Sequence, residues 1–303
     1  MREEPVTDPP RDQASSSPVE IPTFARVQLA HPVVQRIAEE VGVSLLHLKG
    51  PALLAGLRAP GRLSSDVDVL VQPDQFTTME GALHDHGWER YSHVSSGSAF
   101  EHAANWWHPH WGYADLHARW PGATASPADT FSALSEESFL QPIAHYPCPV
   151  PGRTAQLLVL LLHSARSPGY RDVELTWNEQ SPQQRAAVID LAGRIGGQVA
   201  LAAALGHLEE HRGDPSYALW HFYRDGGGRL DEWRARYRAA PSPSGRWRVV
   251  VSAARVNRDH LRIELGRTPT RSDVLTAQLG RIGKLVRESA RMARAHLWKR
   301  PPP

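Results

Sequence analysis

Ser65-Asp66-Val67-Asp68-Val69-Leu70-Val71 is the stretch that decides the fold. Successive side chains of a strand point to opposite faces. A strand here therefore turns Val67, Val69 and Val71 toward a core and projects Asp66, Asp68 and Leu70 from the other face. Two carboxylates that close repel, and each resists losing its water. A divalent cation removes both penalties, and Mg²⁺ prefers carboxylate oxygen. Asp-x-Asp alone is common, however, and a solvated strand edge explains it as simply.

The flanking sequence adds to this strand. Upstream, Phe24 to Val41 carries apolar residues at helical spacing (Val27, Val34, Ile37, Ala38, Val41), which predicts an amphipathic helix. Ser44 to Leu48 reads as a short buried strand ending at Lys49-Gly50. Pro51 suits the first turn of a helix expected over Ala52 to Leu57, because its missing N–H would be unpaired there. Such a turn offers backbone N–H groups to an anion, Gly50 permits close approach, and Lys49 adds a point charge. Downstream, Pro60-Gly61 marks a turn, and Pro73 opens a helix that runs to about His86. Strands are expected over Trp88–Val94, Ala99–Trp106 and Gly112–Arg119. On the last of these Tyr113, Asp115, His117 and Arg119 share a face, so Asp115 is placed to join Asp66 and Asp68 from a neighbouring strand. Three carboxylates on adjacent strands suit two Mg²⁺ ions about 3.5–4 Å apart.

The rest of the chain changes character. Residues 1–22 are rich in Pro, Ser, Asp and Glu and are expected to form a disordered tail. Residues 122–152 read as a connection holding one short helix. From Arg153 onward the periodicity is helical, with helices expected over Ala155–Arg166, Gln183–Arg194, Val199–Arg212, Tyr217–Arg224, Leu230–Arg238, Trp247–Ile263 and Ser272–Leu297. The fold class is thus α+β, an N-terminal mixed sheet (23–152) with flanking helices followed by an all-helical C-terminal region (153–300).

Composition excludes several functions. The formal net charge of +2 gives no argument for nucleic acid or an anionic membrane. All but three of the 34 basic residues are arginine, as in a GC-rich bacterial genome, so Lys49 stands out against that background. The single Cys148 rules out an intrachain disulfide and a cysteine metal site. The longest apolar run, Leu157 to Leu162, is far short of a membrane span, and a cytoplasmic protein is expected.

Taken in order, Lys49-Gly50, Arg62, Ser65 to Val71 and Asp115-Leu116-His117 resemble the nucleotidyltransferase superfamily of the DNA polymerase β type. More narrowly they resemble the bacterial nucleotidyltransferase-like family whose strand–turn reads Leu-Lys-Gly, over roughly residues 40–170. The resemblance implies transfer of NMP from an NTP such as ATP to an acceptor, with release of pyrophosphate. It implies Asp66, Asp68 and Asp115 as catalytic metal ligands for two Mg²⁺ (Mn²⁺ in their place), with Asp115 on the base side. It implies nucleotide phosphates at the Gly50 turn. The superfamily usually has Gly-Ser there, whereas Pro51 follows Gly50; Lys49, Arg62, Ser64 or Ser65 are the candidates to compensate. The alternative is a catalytically impaired nucleotide-binding or regulatory module of the same fold.

Four further features have plainer explanations. His108-Pro109-His110, with His102 and His117 near, has zinc-ligand residue types, but proline breaks the spacing and a loop explains it better. His117 either orients Asp115, contacts a phosphate or merely ends a strand. Trp106, Trp107, Trp111 and Trp120 suit base stacking or, more often, a core. The basic face of the last helix (Arg281, Lys284, Arg287, Arg291, Arg294 and Arg300) is more often a solvated face than a nucleic-acid site.

Overall fold

The computed structural model describes residues 21–58, 61–94, 100–167, 173–240, 242–265, 267–281 and 283. Its first half is a five-stranded mixed sheet: β1 (Leu45–His47), β2 (Asp66–Val71), β3 (Glu89–Ser92), β4 (Ala103–His108) and β5 (Gly112–His117). Their order across the sheet is β1-β2-β5-β4-β3, with β2 and β5 parallel and the other neighbours antiparallel. Helices α1 (Thr23–Glu40) and α2 (Phe76–Asp85) precede and follow β1 and β2 in the chain.

The valines of β2 do what their alternation predicts. Val67, Val69 and Val71 are fully buried and share a core with Val34, Ile37 and Ala38 of α1, Met79 and Leu83 of α2, and Ala114 and Leu116 of β5. Leu70, on the opposite face, belongs to a second core with Leu46, Leu48 and Trp120 and the helix α4 (Arg153–Arg166). That second core runs on through Val188, Leu191, Leu201 and Trp220, so it crosses the position near 152 where the sequence changes character. The run Leu157 to Leu162 is buried on every side, as expected of a helix sandwiched between a sheet and other helices.

Beyond α4 the described chain is helical: α5 (Pro182–Arg194), α6 (Gln198–Leu205), α7 (Tyr217–Asp225), α8 (Arg229–Ala239), α9 (Pro243–Ala254) and α10 (Arg258–Leu265). Two expected helices are broken. Gly206 adopts a left-handed conformation that ends α6. The span expected over Trp247–Ile263 divides into α9 and α10, where the Asn257 side chain accepts the amide of Asp259. The basic helix expected from Ser272 is helical over 271–281, and its continuation to Leu297 lies outside the described residues.

Two sequence expectations fail. The helix placed at Ala52–Leu57 is a single turn at Gly50–Ala52: the backbone is already extended at Leu53 (ψ 140°), and Gly56 at φ +81° keeps the run from resuming. Residues 122–152 hold the one short helix expected, α3 (Pro127–Ser135), but also an unexpected hairpin of β6 (Phe139–Ile143) and β7 (Tyr146–Val150). That hairpin packs on the Gly50 turn, where the Gln141 side chain donates to the Pro51 carbonyl at 2.9 Å. From α4, buried Gln156 donates to the Ala52 and Pro151 carbonyls and accepts the Leu54 amide. A turn lacking regular helical bonds is thus bonded from two other elements, as buried backbone requires.

Candidate active site

The parallel pairing of β2 and β5 sets Asp68 directly beside Asp115 and Asp66 beside Tyr113. Side chains in register on adjacent strands share a face, so Asp66, Asp68, Asp115 and His117 all lie on the face opposite the valines. Ligand atoms of Asp68, Asp115 and His117 fall within 4.8 Å of one another, the one such acidic and histidine group found among the described residues. His102, His108 and His110 form no such group; His108 packs on Trp88 instead, with ring centroids 5.4 Å apart.

The two central carboxylates have opposite environments. Asp68 is 2 % exposed. Its Oδ1 receives Lys49 Nζ at 2.8 Å and His117 Nε2 at 2.9 Å. Burial alone would push its carboxyl up, but the Lys49 ammonium and the His117 hydrogen bond outweigh burial and hold it far below the usual carboxylate range. Asp115 has no cation in contact. Burial, then the charges of Asp68 and Asp66, push it up to about 7. Its Oδ1 accepts from the Asn105 amide, whose own oxygen accepts from Ser92. Asp66 is raised by burial and by Asp68, and Ser65 Oγ donates to it at 3.3 Å. Of these three carboxylates only Asp68 is thus met by a cation in contact, and clustered hard oxygen donors of this kind fit a divalent cation.

His117 is wholly buried, and burial lowers its affinity for a proton. Neutral, it donates Nε2–H to Asp68 at 2.9 Å. Its ring lies 4.9 Å from Trp120 and 5.3 Å from His102. Trp106 and Trp120 are core residues, 2 % and 1 % exposed, so neither offers a free face for a base; Lys49 Nζ sits 5.7 Å over the Trp120 ring.

Lys49 and Gly50 stand at the head of the turn after β1, and Arg62, Ser64 and Ser65 on the segment leading into β2. Gly50 has φ +63°, and a Cβ there would lie 2.7 Å from Ser64 Oγ. Both facts demand glycine. Gly50→Ala should cost about 2 kcal/mol of stability in a denaturant titration, from strain and the displaced Ser64; an unchanged midpoint would show the turn to be looser than this.

Sequence reasoning missed several groups. Asn105 faces Asp115 only through the β4–β5 register, which no local pattern reveals. Arg166, in the last turn of α4, has a buried Nε without a partner. Burial lowers its hold on its proton, and the charges of Asp68, Tyr223 and Asp115 raise it. A second cation thus faces the carboxylates from the helical half.

The chain was compared with known families and solved structures. Residues 26–210 match the family model described as uncharacterised nucleotidyltransferase. No curated protein matches. Solved structures with similarity include lincomycin-bound lincosamide antibiotic adenylyltransferase LnuA, at 15 % identity and TM-score 0.32, covering 55 % of this chain and 96 % of that one. The antibiotic-resistance factor ANT(2'')-Ia is 17 % identical with TM-score 0.36, covering 63 % and 100 %. A nucleotidyltransferase-like antigen of Paracoccidioides brasiliensis is 16 % identical with TM-score 0.34, covering 63 % and 90 %. The family match spans more than half of the chain, which is thus an enzyme of the family of uncharacterised nucleotidyltransferases.

Proposed function

We propose that this enzyme transfers NMP from an NTP to a hydroxyl-bearing acceptor in the cytoplasm, releasing pyrophosphate, with Asp66, Asp68 and Asp115 holding Mg²⁺ (two ions, or Mn²⁺). The supporting observation is the register that sets Asp68 against Asp115 on parallel strands, with an uncompensated carboxylate pushed up to about 7. A bound divalent cation would neutralise charge at the α-phosphate and lower the pKa of the acceptor hydroxyl. Lys49 and the Gly50 turn, with Arg62, Ser64 and Ser65, bind the phosphates. His117 fixes the orientation of Asp68 through the 2.9 Å bond. Asp115, held by Asn105, is the carboxylate placed to take the acceptor's proton. The rate gain on this reading comes mainly from positioning and charge neutralisation.

The reading is tested first by thermal stability with each Mg²⁺–NTP, because a ligand that binds only the folded state raises its stability by mass action. Stabilisation by at least one NTP is expected. Incubation with labelled NTP, Mg²⁺ or Mn²⁺ and cell extract, followed by mass spectrometry, should then find an acceptor gaining NMP. Absence of stabilisation by every NTP would remove the basis of the proposal. Stabilisation without turnover on any acceptor would favour a nucleotide-binding or regulatory module, the reading supported by Pro51, which supplies neither N–H nor hydroxyl to the turn.

A further inference from the structure

Beneath the Gly50 turn lies a buried pair of histidines that the carboxylate site does not use. His31 of α1 and His47 of β1 are both 0 % exposed, with Nδ1 atoms 2.7 Å apart. Their tautomers can be traced along the chain of bonds. Gln35 donates its Nε2 to Glu39 Oε1 at 2.9 Å, so its Oε1 faces His47 Nε2 at 3.2 Å and accepts. His47 therefore carries its proton on Nε2, and its bare Nδ1 accepts Nδ1–H of His31. Glu39, at the far end, also accepts from Tyr146 of the hairpin. What is left over is His31 Nε2, a buried lone pair with no partner. An unmet buried polar atom is costly, and its persistence asks for an occupant.

That lone pair lies beside the turn. The point where a Cβ on residue 50 would lie is 3.9 Å from His31 Nε2 and 2.7 Å from Ser64 Oγ. The turn lacks a hydroxyl of its own because Pro51 follows Gly50. Ser64 brings one to the same place from the segment before β2.

We propose that Ser64 and His31 form a proton-coupled seat for the triphosphate, Ser64 binding a phosphate oxygen and His31 positioning Ser64. This rests on the nucleotidyltransferase reading above and adds to it. Without ligand, His31 Nε2 has no hydrogen-bond partner. When a phosphate oxygen arrives, the Ser64 hydroxyl hydrogen turns to it. His31 Nε2 takes one proton from solvent and donates it to Ser64 Oγ, while Nδ1–H still bonds to His47. The only covalent change is the new N–H bond, and every donor and acceptor in the row is then matched. The groups that act on the His31 proton are neutral His47 from β1 and anionic Asp68 from β2; the turn itself contributes Ser64 and the Gly50 backbone. In the free protein burial lowers His31 to about 4. A bound polyphosphate raises it, so binding tightens as pH falls through the window above 4, by up to about tenfold per unit.

The test is calorimetric titration at pH 6 in two buffers of different ionisation enthalpy, with Mg²⁺–ATP and, as a nucleoside-free probe, Mg²⁺–tripolyphosphate. The readout is the difference between wild type and variants, since both probes exchange protons themselves. Wild type should take up close to one proton more than His31→Gln or His31→Phe. Gln keeps a polar atom near the Nε2 position and guards against loss of folding, which a thermal melt checks. Ser64→Ala should bind about 10–100-fold more weakly, the loss of one hydrogen bond to a charged group, and lose the extra proton. Equal proton uptake in wild type and both His31 variants overturns the inference and leaves the transferase reading intact. So does Ser64→Ala binding as tightly as wild type. Failure of wild type to bind either probe overturns both.

Discussion

Asp68→Asn and Asp115→Asn should each lower NMP transfer by about a thousandfold or more, some 4 kcal/mol of transition-state stabilisation at about 1.4 kcal/mol per tenfold. Each removes one charged ligand atom from the same cluster. From sequence the two replacements look alike, and both look harmless to folding because clustered charge is relieved. The structure separates them. Asp68 neutralises Lys49, whose side chain is 14 % exposed, across a 2.8 Å contact. Losing one partner of a buried pair strands the other, so Asp68→Asn should destabilise the metal-free protein by about 3 kcal/mol. Asp115 has no cationic partner in contact, and its ionised form is disfavoured by burial and two aspartates. Asp115→Asn should therefore raise stability at pH 8. Exposed Asp74 sits at a helix start, and Asp74→Asn should change neither quantity. The measurements are transfer rate with an identified acceptor and urea midpoints without metal. Equal stability changes for Asp68→Asn and Asp115→Asn would contradict the asymmetry.

The second large effect is in pH dependence. A carboxyl near 7 in the folded state and near 3.8 unfolded keeps, between those values, a proton that the unfolded chain has lost. Folding stability from this group is full below about 4 and is lost as pH rises through about 7. At about 1.4 kcal/mol per unit, reduced for the partial solvent access of Asp115, the metal-free protein should lose about 2–3 kcal/mol over that range. Asp115→Asn should flatten the slope, and so should saturating Mg²⁺, which replaces the proton. Metal affinity should correspondingly rise with pH. Urea titrations at several pH values, with chelator and with Mg²⁺, check this. A slope identical in Asp115→Asn would assign it to another group.

The legible parts of the molecule are those that local alternation encodes. Val67, Val69 and Val71 announce both a strand and its buried face, and the same parity places Asp66 and Asp68 opposite them. The parity of Tyr113, Asp115 and His117 does likewise for β5. What no local pattern carries is pairing. Asn105 supports Asp115 only because β4 lies antiparallel to β5 in one register, and Lys49 meets Asp68 only because β1 folds back on β2. The β6–β7 hairpin was hidden for a different reason. Pro142, Pro147 and Pro149 interrupt its strands, and Leu140 is 64 % exposed. A two-stranded ribbon tolerates proline because each strand has a free edge. His31 and Gln35 read simply as polar interruptions of α1, and their link to His47 needs the helix docked on the sheet.

Gln156 has a consequence for the ancestry of this chain. It sits on the first helix of the helical half, yet its amide closes the hydrogen bonds of the turn after β1 through Ala52 and Leu54. A recombination that joined residues up to 152 to a foreign helical partner would leave those backbone groups unsatisfied in an apolar interior. It would also bare Leu46, Leu48 and Leu70, which α4 covers. Viable chimeras must therefore carry α4 with the sheet. An exchange of helical segments between relatives must also re-match the side chains that meet α4 from α5, α6 and α7, among them Val188, Leu191, Leu201 and Trp220.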